Sequence, residues 1–454
     1  MPTTSSRTKR ALAGLVLASL GACGHGPTEP SRPPAELQAL PRPLSASEQQ
    51  LIDAGNDFAF SLFRQLGNAT PGANVFVSPL SASLALGMTM NGAAGSTFDA
   101  MRTTLGFGAI GNDAINAGYH GLIALLESLD ASTQLGIANS IWYRQGLAVN
   151  ESFLNTTLSA FGAEVQSLDF GNVPATLATV NGWVNTQTNG KIPSILESID
   201  PSDVMYLLNA IYFKGSWRLR FDPAQTENAP FHAANGVSRT VRLMHTQDTL
   251  LYLATPAFQA TDLAYGNGAF RMTIVLPTAG TNIDAFAASI NRTDWNAWTQ
   301  SFHSRKIILE LPRFTVAYER KLNDDLTAMG MGMAFDPQRA DFSRIASVAP
   351  ERLFISFVKQ KAFIAVDEVG TEAAAVTAVG ISVTSLPVIP TMRVDRPFVL
   401  AIRERLSGTI LFMGKVTTRC RSLLASAVLP DWRDCSACIK LRSALIVLIC
   451  CERM

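Results

Sequence analysis

The chain has 454 residues, is 47% hydrophobic and 16% charged, and carries 37 Lys+Arg against 36 Asp+Glu, a formal net charge of +1. That apolar content supports a sizeable buried core and excludes a chain disordered throughout. No apolar run reaches the ~18–20 residues that a membrane-spanning helix needs, so a polytopic membrane protein is excluded as well. With three basic residues and no acid in 1–22, and six basic against three acidic in 419–454, residues 23–418 hold 28 basic and 33 acidic residues, a net −5. A nucleic-acid partner would call for a basic excess on the folded part, and none is there.

At the start of the chain, Arg7, Lys9 and Arg10 precede a ten-residue apolar stretch, Ala11 to Leu20, the layout of an export signal over 1–22. It ends in Leu20-Gly21-Ala22-Cys23, which resembles the lipobox of bacterial lipoproteins. The resemblance implies cleavage before Cys23 and acylation of its thiol, which anchors a protein to a membrane without spanning it. An ordinary cleavable signal with an incidental cysteine is the plainer reading. Gly24, rather than an aspartate, follows the cysteine; the expected place is therefore the bacterial cell envelope, at the outer membrane, or outside the cell. Residues 23–49 then hold six prolines, from Pro27 to Pro43, and are expected to act as an extended spacer.

Helical patterns follow. Ser47 to Gln65 repeats apolar residues at Leu51, Ile52, Phe58 and Leu62, with Ser47 in the capping position. Ser78-Pro79 opens a second helix, and Ala175 to Asn189 forms a third. Strand-like runs are Asn74 to Val77, Arg271 to Leu276, Ile307 to Leu311, Leu353 to Val366 and Met392 to Ile402; Glu404 to Gly408 has hairpin character before Thr409 to Met413. Helices come early and strands late, an α+β layout without βαβ repeats. No catalytic motif is present: HExxH, G-x-S-x-G and phosphate-binding glycine loops are all missing, and the five histidines are scattered. An enzyme is not expected, nor a metal or other cofactor. Residues 24–419 contain no cysteine, so stability must come from the core. In 419–454, Cys435-x-x-Cys438 lacks a second pair or a histidine to complete a metal site; with the short apolar run Leu445 to Ile449, this segment reads as an appendage of unknown role.

The informative stretch is Val366 to Ser385, a loop of roughly twenty residues between two strands, and loops of that length are usually functional. At period two, Thr371, Ala373, Ala375 and Thr377 share one face and are all small and uncharged, while Glu372 falls on the other. Such a face could enter a packed sheet; an Ala-rich linker or helix is the bland alternative.

From about Leu51 to Thr418 the chain resembles the serpin family. The resemblance rests on Asn74-Val-Phe-Val-Ser-Pro79, Asn181 to Ile192, Leu208-Asn-Ala-Ile-Tyr-Phe-Lys-Gly-Ser-Trp217, Val394-Asp-Arg-Pro-Phe398, Leu411-Phe-Met-Gly-Lys415 and the hinge Glu368-Val-Gly-Thr-Glu-Ala-Ala-Ala375. It implies an α+β serpin fold over 50–418, with about three β-sheets, eight to nine helices and an exposed reactive-centre loop at about 368–392. It also implies inhibition of serine proteases as a suicide substrate: loop cleavage, acyl-enzyme trapping and insertion of the loop into a sheet. Family spacing puts the reactive bond at Thr384–Ser385, with Val383 and Leu386 as register alternates. A small β-branched residue there suits elastase-like or subtilisin-like targets, chymotrypsin-like ones being compatible, and argues against trypsin-like ones. The hinge residues Glu368, Gly370, Thr371, Glu372, Ala373, Ala374 and Ala375 place no bulk or charge on the inward face. Papain-like cysteine proteases also form acyl intermediates and are compatible partners. Ser78, Ser81, Asn209 and Trp217 match the family's shutter and breach positions, with Gln360 where many members place a histidine. No basic residue lies between Arg102 and Arg144, so a heparin-type site is not supported. A monomer is expected. The alternative within the family is a non-inhibitory binding or carrier protein at the cell envelope.

Overall fold

In the computed structural model, residues 34–349, 351–371 and 389–418 are described in full, and Ser443–Arg453 by its backbone. Ser45 caps the first helix, α1 (Ala46–Ala69): its hydroxyl accepts from the Glu48 amide at 3.2 Å while the Glu48 carboxylate accepts from the Ser45 amide at 2.7 Å. This reciprocal capping box starts the helix earlier than the sequence pattern suggests, at Ser45 rather than Ser47. β1 (Val75–Val77) leads into α2 (Pro79–Met90), which Ser78 caps with Pro79 in its first turn. Every residue of α2 is buried, which accounts for its apolar character all round the helix.

α3 (Gly95–Thr104), α4 (Asn112–Ser128), β2 (Gln134–Arg144), α5 (Glu151–Phe161), β3 (Glu164–Leu168), α6 (Val173–Gln187) and β4 (Asp203–Lys214) follow. Strands then dominate: β5 (Glu227–His232), β6 (Ser238–Ala254), β7 (Phe258–Ala264) and β8 (Phe270–Pro277). After α7 (Ile283–Ser289) and α8 (Arg292–Gln300) come β9 (His303–Pro312), β10 (Phe314–Lys321) and α9 (Asn323–Leu326). The chain continues through β11 (Leu353–Val366), β12 (Thr391–Arg393), β13 (Phe398–Glu404), β14 (Ile410–Val416) and β15 (Ser443–Arg453). The stretch near Met392 to Ile402 holds two strands, because Val394 to Pro397 interrupts it, and the second, β13, matches the strand-like run Pro397 to Ile402.

One sheet has the order β10-β11-β15-β4-β2-β3. The other strands form β1-β14-β13-β8-β7-β6-β9-β12, with β5 beside β6. The long β6 joins what would be two sheets into one hydrogen-bonded network: Ser238 to Leu243 pair with β5, and Leu251 to Ala254 with β7. With α1 to α9 among the described residues, this is the α+β architecture expected. The core lies between the sheets and α1 to α5, and includes Phe58, Leu62, Leu84, Met88, Phe213, Ile274 and Phe412.

Two segments differ from the sequence reading. Within the proline-rich stretch, Pro34 to Arg42 is held against the domain instead of standing free of it. The Leu37 amide donates to the Asn267 carbonyl at 2.8 Å, Arg271 pairs with Glu36 at 2.6 Å, and Arg42 pairs with Glu48 at 2.5 Å. The second difference is larger. Ser443–Arg453, read as part of an appendage, is an interior strand of the six-stranded sheet, antiparallel to β11 on one side and β4 on the other. Its apolar, β-branched run is the composition that a strand buried on both edges requires.

Candidate functional site

β11 ends at Val366, and the chain turns at once onto the segment that follows β4. The Asp367 carboxylate accepts from the Val369 and Gly370 amides at 2.9 and 3.3 Å, which closes the turn. The Trp217 amide donates to the Val369 carbonyl at 2.7 Å, and the Thr371 amide to the Gly215 carbonyl at 2.7 Å. Gly370 thus sits opposite Ser216 with φ +148°. A Cβ on Gly370 would lie 2.2 Å from the Gly215 carbonyl oxygen and 2.7 Å from Ser216 Cα, so both conformation and space demand glycine.

Side chains hold the same turn. Trp217 Nε1 donates to the Asp367 carbonyl at 2.9 Å, and its ring stacks on Tyr265 at 4.4 Å. The Tyr265 hydroxyl shares a 2.8 Å hydrogen bond with the Thr371 hydroxyl. Glu368 is buried; its carboxylate accepts from the Thr226 hydroxyl at 2.5 Å and from Arg313 Nε at 2.7 Å. Burial works against the Glu368 charge, but those two hydrogen bonds outweigh it and hold its pKa below the usual carboxylate value. Burial pushes the neighbouring Asp367 up.

Below this hinge, β11 and β4 run parallel to each other with β15 between them. The backbone of Val447 stands opposite Gln360 on one side and Asn209 on the other. Ser81 donates to Asn209, whose Nδ2 donates to Asn139 Oδ1 at 2.8 Å. Gln360 Nε2 donates to the Ser78 carbonyl at 3.2 Å, while its buried Oε1 has no partner among the described residues. Ser78, Ser81, Asn209 and Gln360 are all fully buried, and the structure brings them together beneath the sheet. Glutamine therefore supplies the donor that reaches the start of α2.

The structure thus assembles Glu368, Gly370, Thr371 and Trp217 at the hinge, and the other four side chains beneath the sheet. Glu372, Ala373, Ala374, Ala375, Val383, Thr384, Ser385, Leu386 and Cys23 lie outside the described residues. Sequence reading missed Thr226, Tyr265 and Arg313, which stand 142, 106 and 55 positions from their hinge partners. No local pattern could have found them. Among the described residues there is no group of three or more His, Cys, Asp and Glu side chains able to hold a metal, and no helix long and apolar enough to cross a membrane.

The arrangement is a glycine-dependent hinge at the end of a sheet in which β15 lies between β11 and β4. The family model for serpins (serine protease inhibitors) matches residues 53–418, and the chain belongs to that family. Human Serpin B11 is 31% identical over 391 residues, covering 81% of this chain and 99% of that protein. The human leukocyte elastase inhibitor is 31% identical over 381 residues, covering 82% of this chain and 100% of that protein. Among solved structures, thyroxine-binding globulin in complex with thyroxine is similar at a TM-score of 0.74 and 30% identity, covering 82% of this chain and 99% of that one.

Proposed function

We propose that the chain is a serine-type endopeptidase inhibitor that acts as a suicide substrate. The observation that carries the reading is the hinge: Gly370 and Thr371 leave β11 at the mouth of the gap between β11 and β4, in contact with Gly215 and Trp217. From there a cut loop can enter the sheet only as a strand antiparallel to both neighbours. The target's serine hydroxyl attacks the Thr384 carbonyl carbon. The Thr384–Ser385 bond breaks, the new amino terminus leaves on Ser385, and an ester joins Thr384 to the protease. About fourteen inserted residues at ~3.3 Å each would carry that ester ~45 Å, roughly the width of the target. The similarity to the leukocyte elastase inhibitor, and the small β-branched Thr384, favour elastase-like or subtilisin-like targets. We further propose that Cys23 carries a lipid anchor holding a bacterial protein at its cell envelope.

One observation favours a second reading, a non-inhibitory binding or carrier role: β15 already fills the gap. Incubation of residues 50–418, the span without β15, with pancreatic elastase, chymotrypsin, subtilisin and trypsin, read on denaturing gels with mass spectrometry, separates the two. An SDS-stable complex with a released peptide beginning at Ser385 supports inhibition and fixes the bond. Clean loop cleavage with protease activity retained supports the second reading. For the anchor, incorporation of labelled palmitate in a bacterial host should be lost in Cys23→Ser.

A further inference from the structure

We propose that Ser443–Arg453 is a built-in occupant of the insertion gap, so that the intact chain is held in a relaxed, non-trapping form until the tail is displaced. This rests on the inhibitory reading for its consequence, though not for its geometry.

The backbone argument is one of register. β15 pairs Ser443 with Phe213 and Glu452 with Asp203 on β4, and Ala444 with Phe363 and Arg453 with Leu353 on β11. It therefore starts beside the hinge and runs toward the beginnings of both neighbours, the direction an inserted loop would take. The hinge register is set by Gly370 opposite Ser216. Continued along β4, that register assigns Ala373 to Phe213, the place that Ser443 holds. Loop and tail therefore compete for the same backbone hydrogen bonds on both edges, and both cannot be accommodated.

Composition favours the tail. Ser443 to Cys451 reads Ser-Ala-Leu-Ile-Val-Leu-Ile-Cys-Cys, without charge, proline or glycine, whereas 372–383 opens with Glu372, is rich in alanine and includes Gly380. Leu, Ile and Val suit an interior strand better than Ala and Gly do. The connection 419–442 contains 24 residues. Fully extended it reaches ~80 Å, more than the ~50 Å across a domain of this size, so tethering raises the local concentration of the tail without barring its entry. Beside the backbone of Val447, Gln360 Oε1 is buried and has no partner among the described residues. A buried acceptor without a donor is a cost to the sheet as it stands.

The test uses the full chain and a synthetic peptide with the sequence of residues 371–384. In the unmodified protein the amides of 444–452 should exchange at least ~1000-fold more slowly than in a free chain, as protected interior-strand amides do. The peptide should not be taken up, and elastase or subtilisin should cut the loop without forming an SDS-stable complex. Successive residues of an interior strand donate to opposite neighbours, so Val447→Pro with Leu448→Pro removes one bond on each side. That variant should bind the peptide stoichiometrically and trap protease.

A variant that takes up peptide but traps nothing leaves the tail's role standing and ends the inhibitory reading. Peptide uptake by the unmodified chain, free-chain exchange across 444–452, or exclusion of peptide by the folded variant overturns the proposal. Should the variant not fold, exchange in the unmodified chain decides.

Discussion

Gly370→Ala tests whether the hinge is seated by backbone contact. At φ +148° the new methyl would lie 2.2 Å from the Gly215 carbonyl oxygen, 2.7 Å from Ser216 Cα and 2.8 Å from the Trp217 nitrogen. All three are main-chain atoms, so no rotamer change relieves the clash and the hinge must lift. Lifting breaks the Trp217 amide bond to Val369, the Thr371 amide bond to Gly215 and the Tyr265–Thr371 hydroxyl bond. At ~1 kcal/mol net for each bond, the seated hinge is weakened by ~3 kcal/mol, and local opening rises on the order of 100-fold. Hydrogen exchange at the Trp217 and Thr371 amides reads this directly, with amides of β13 as an internal reference that should not change. Gly280→Ala is the control: φ is +85° there but nothing lies within 4 Å of the added carbon, so it should cost ~1 kcal/mol and leave Trp217 unchanged. Unaltered protection of Trp217 in Gly370→Ala would refute the argument.

Two further outcomes follow from the buried charges. The hydrogen bond from Arg42 holds Glu48 down to about 2, with burial opposing it and Ser45 assisting; a lowered carboxylate stabilises the fold above its ordinary value near 4.5 and loses that contribution as pH falls toward 2. Glu48→Gln should therefore cost ~1–2 kcal/mol at pH 7, and urea midpoints of the two proteins should converge near pH 2; parallel curves would contradict the pairing. Asp262 accepts from Arg403 at 2.7 Å and from Thr273 at 2.6 Å and lies 3.8 Å from Arg271, both arginine side chains being under 10% exposed. Asp262→Ala should cost ~3–5 kcal/mol in a urea titration, because it strands buried cations, and a loss below ~1 kcal/mol would show that Glu36 and water suffice.

What the sequence showed depended on the range of the interaction that sets each feature. Ser78 and Pro79 announce α2 because capping acts over three residues, and Leu353 to Val366 was legible as a strand to its last residue. Gly370 was recognisable as a hinge glycine, but the reason for it, the Gly215 carbonyl in the way of any Cβ, lies on a segment more than 150 positions earlier. The start of α1 was misplaced by two residues because Ser45 and Ser47 are equally plausible caps until the Glu48 carboxylate is seen to turn back. Leu445 to Ile449 is legible as apolar, but neither that run nor the cysteines around it names β4 and β11 as its neighbours.

That last miss has a physical basis, since strand partners leave no trace in a strand's own sequence. An interior strand needs two bare edges, and on the inhibitory reading the edges of β4 and β11 take the cut loop. The structure places another segment there, in the same direction and within reach of the same register. Metastability in such a fold requires that gap to be closed or empty until the loop is cut, because the stored free energy is that of adding one strand. On the proposed inhibitory reading, β15 in place means that this free energy has already been released. It follows that the intact chain should resist urea as a cleaved, loop-inserted member of the family does, while the proline-bearing variant should unfold at distinctly lower urea. If the two unfold together, the tail contributes nothing to the sheet and the loop keeps its place.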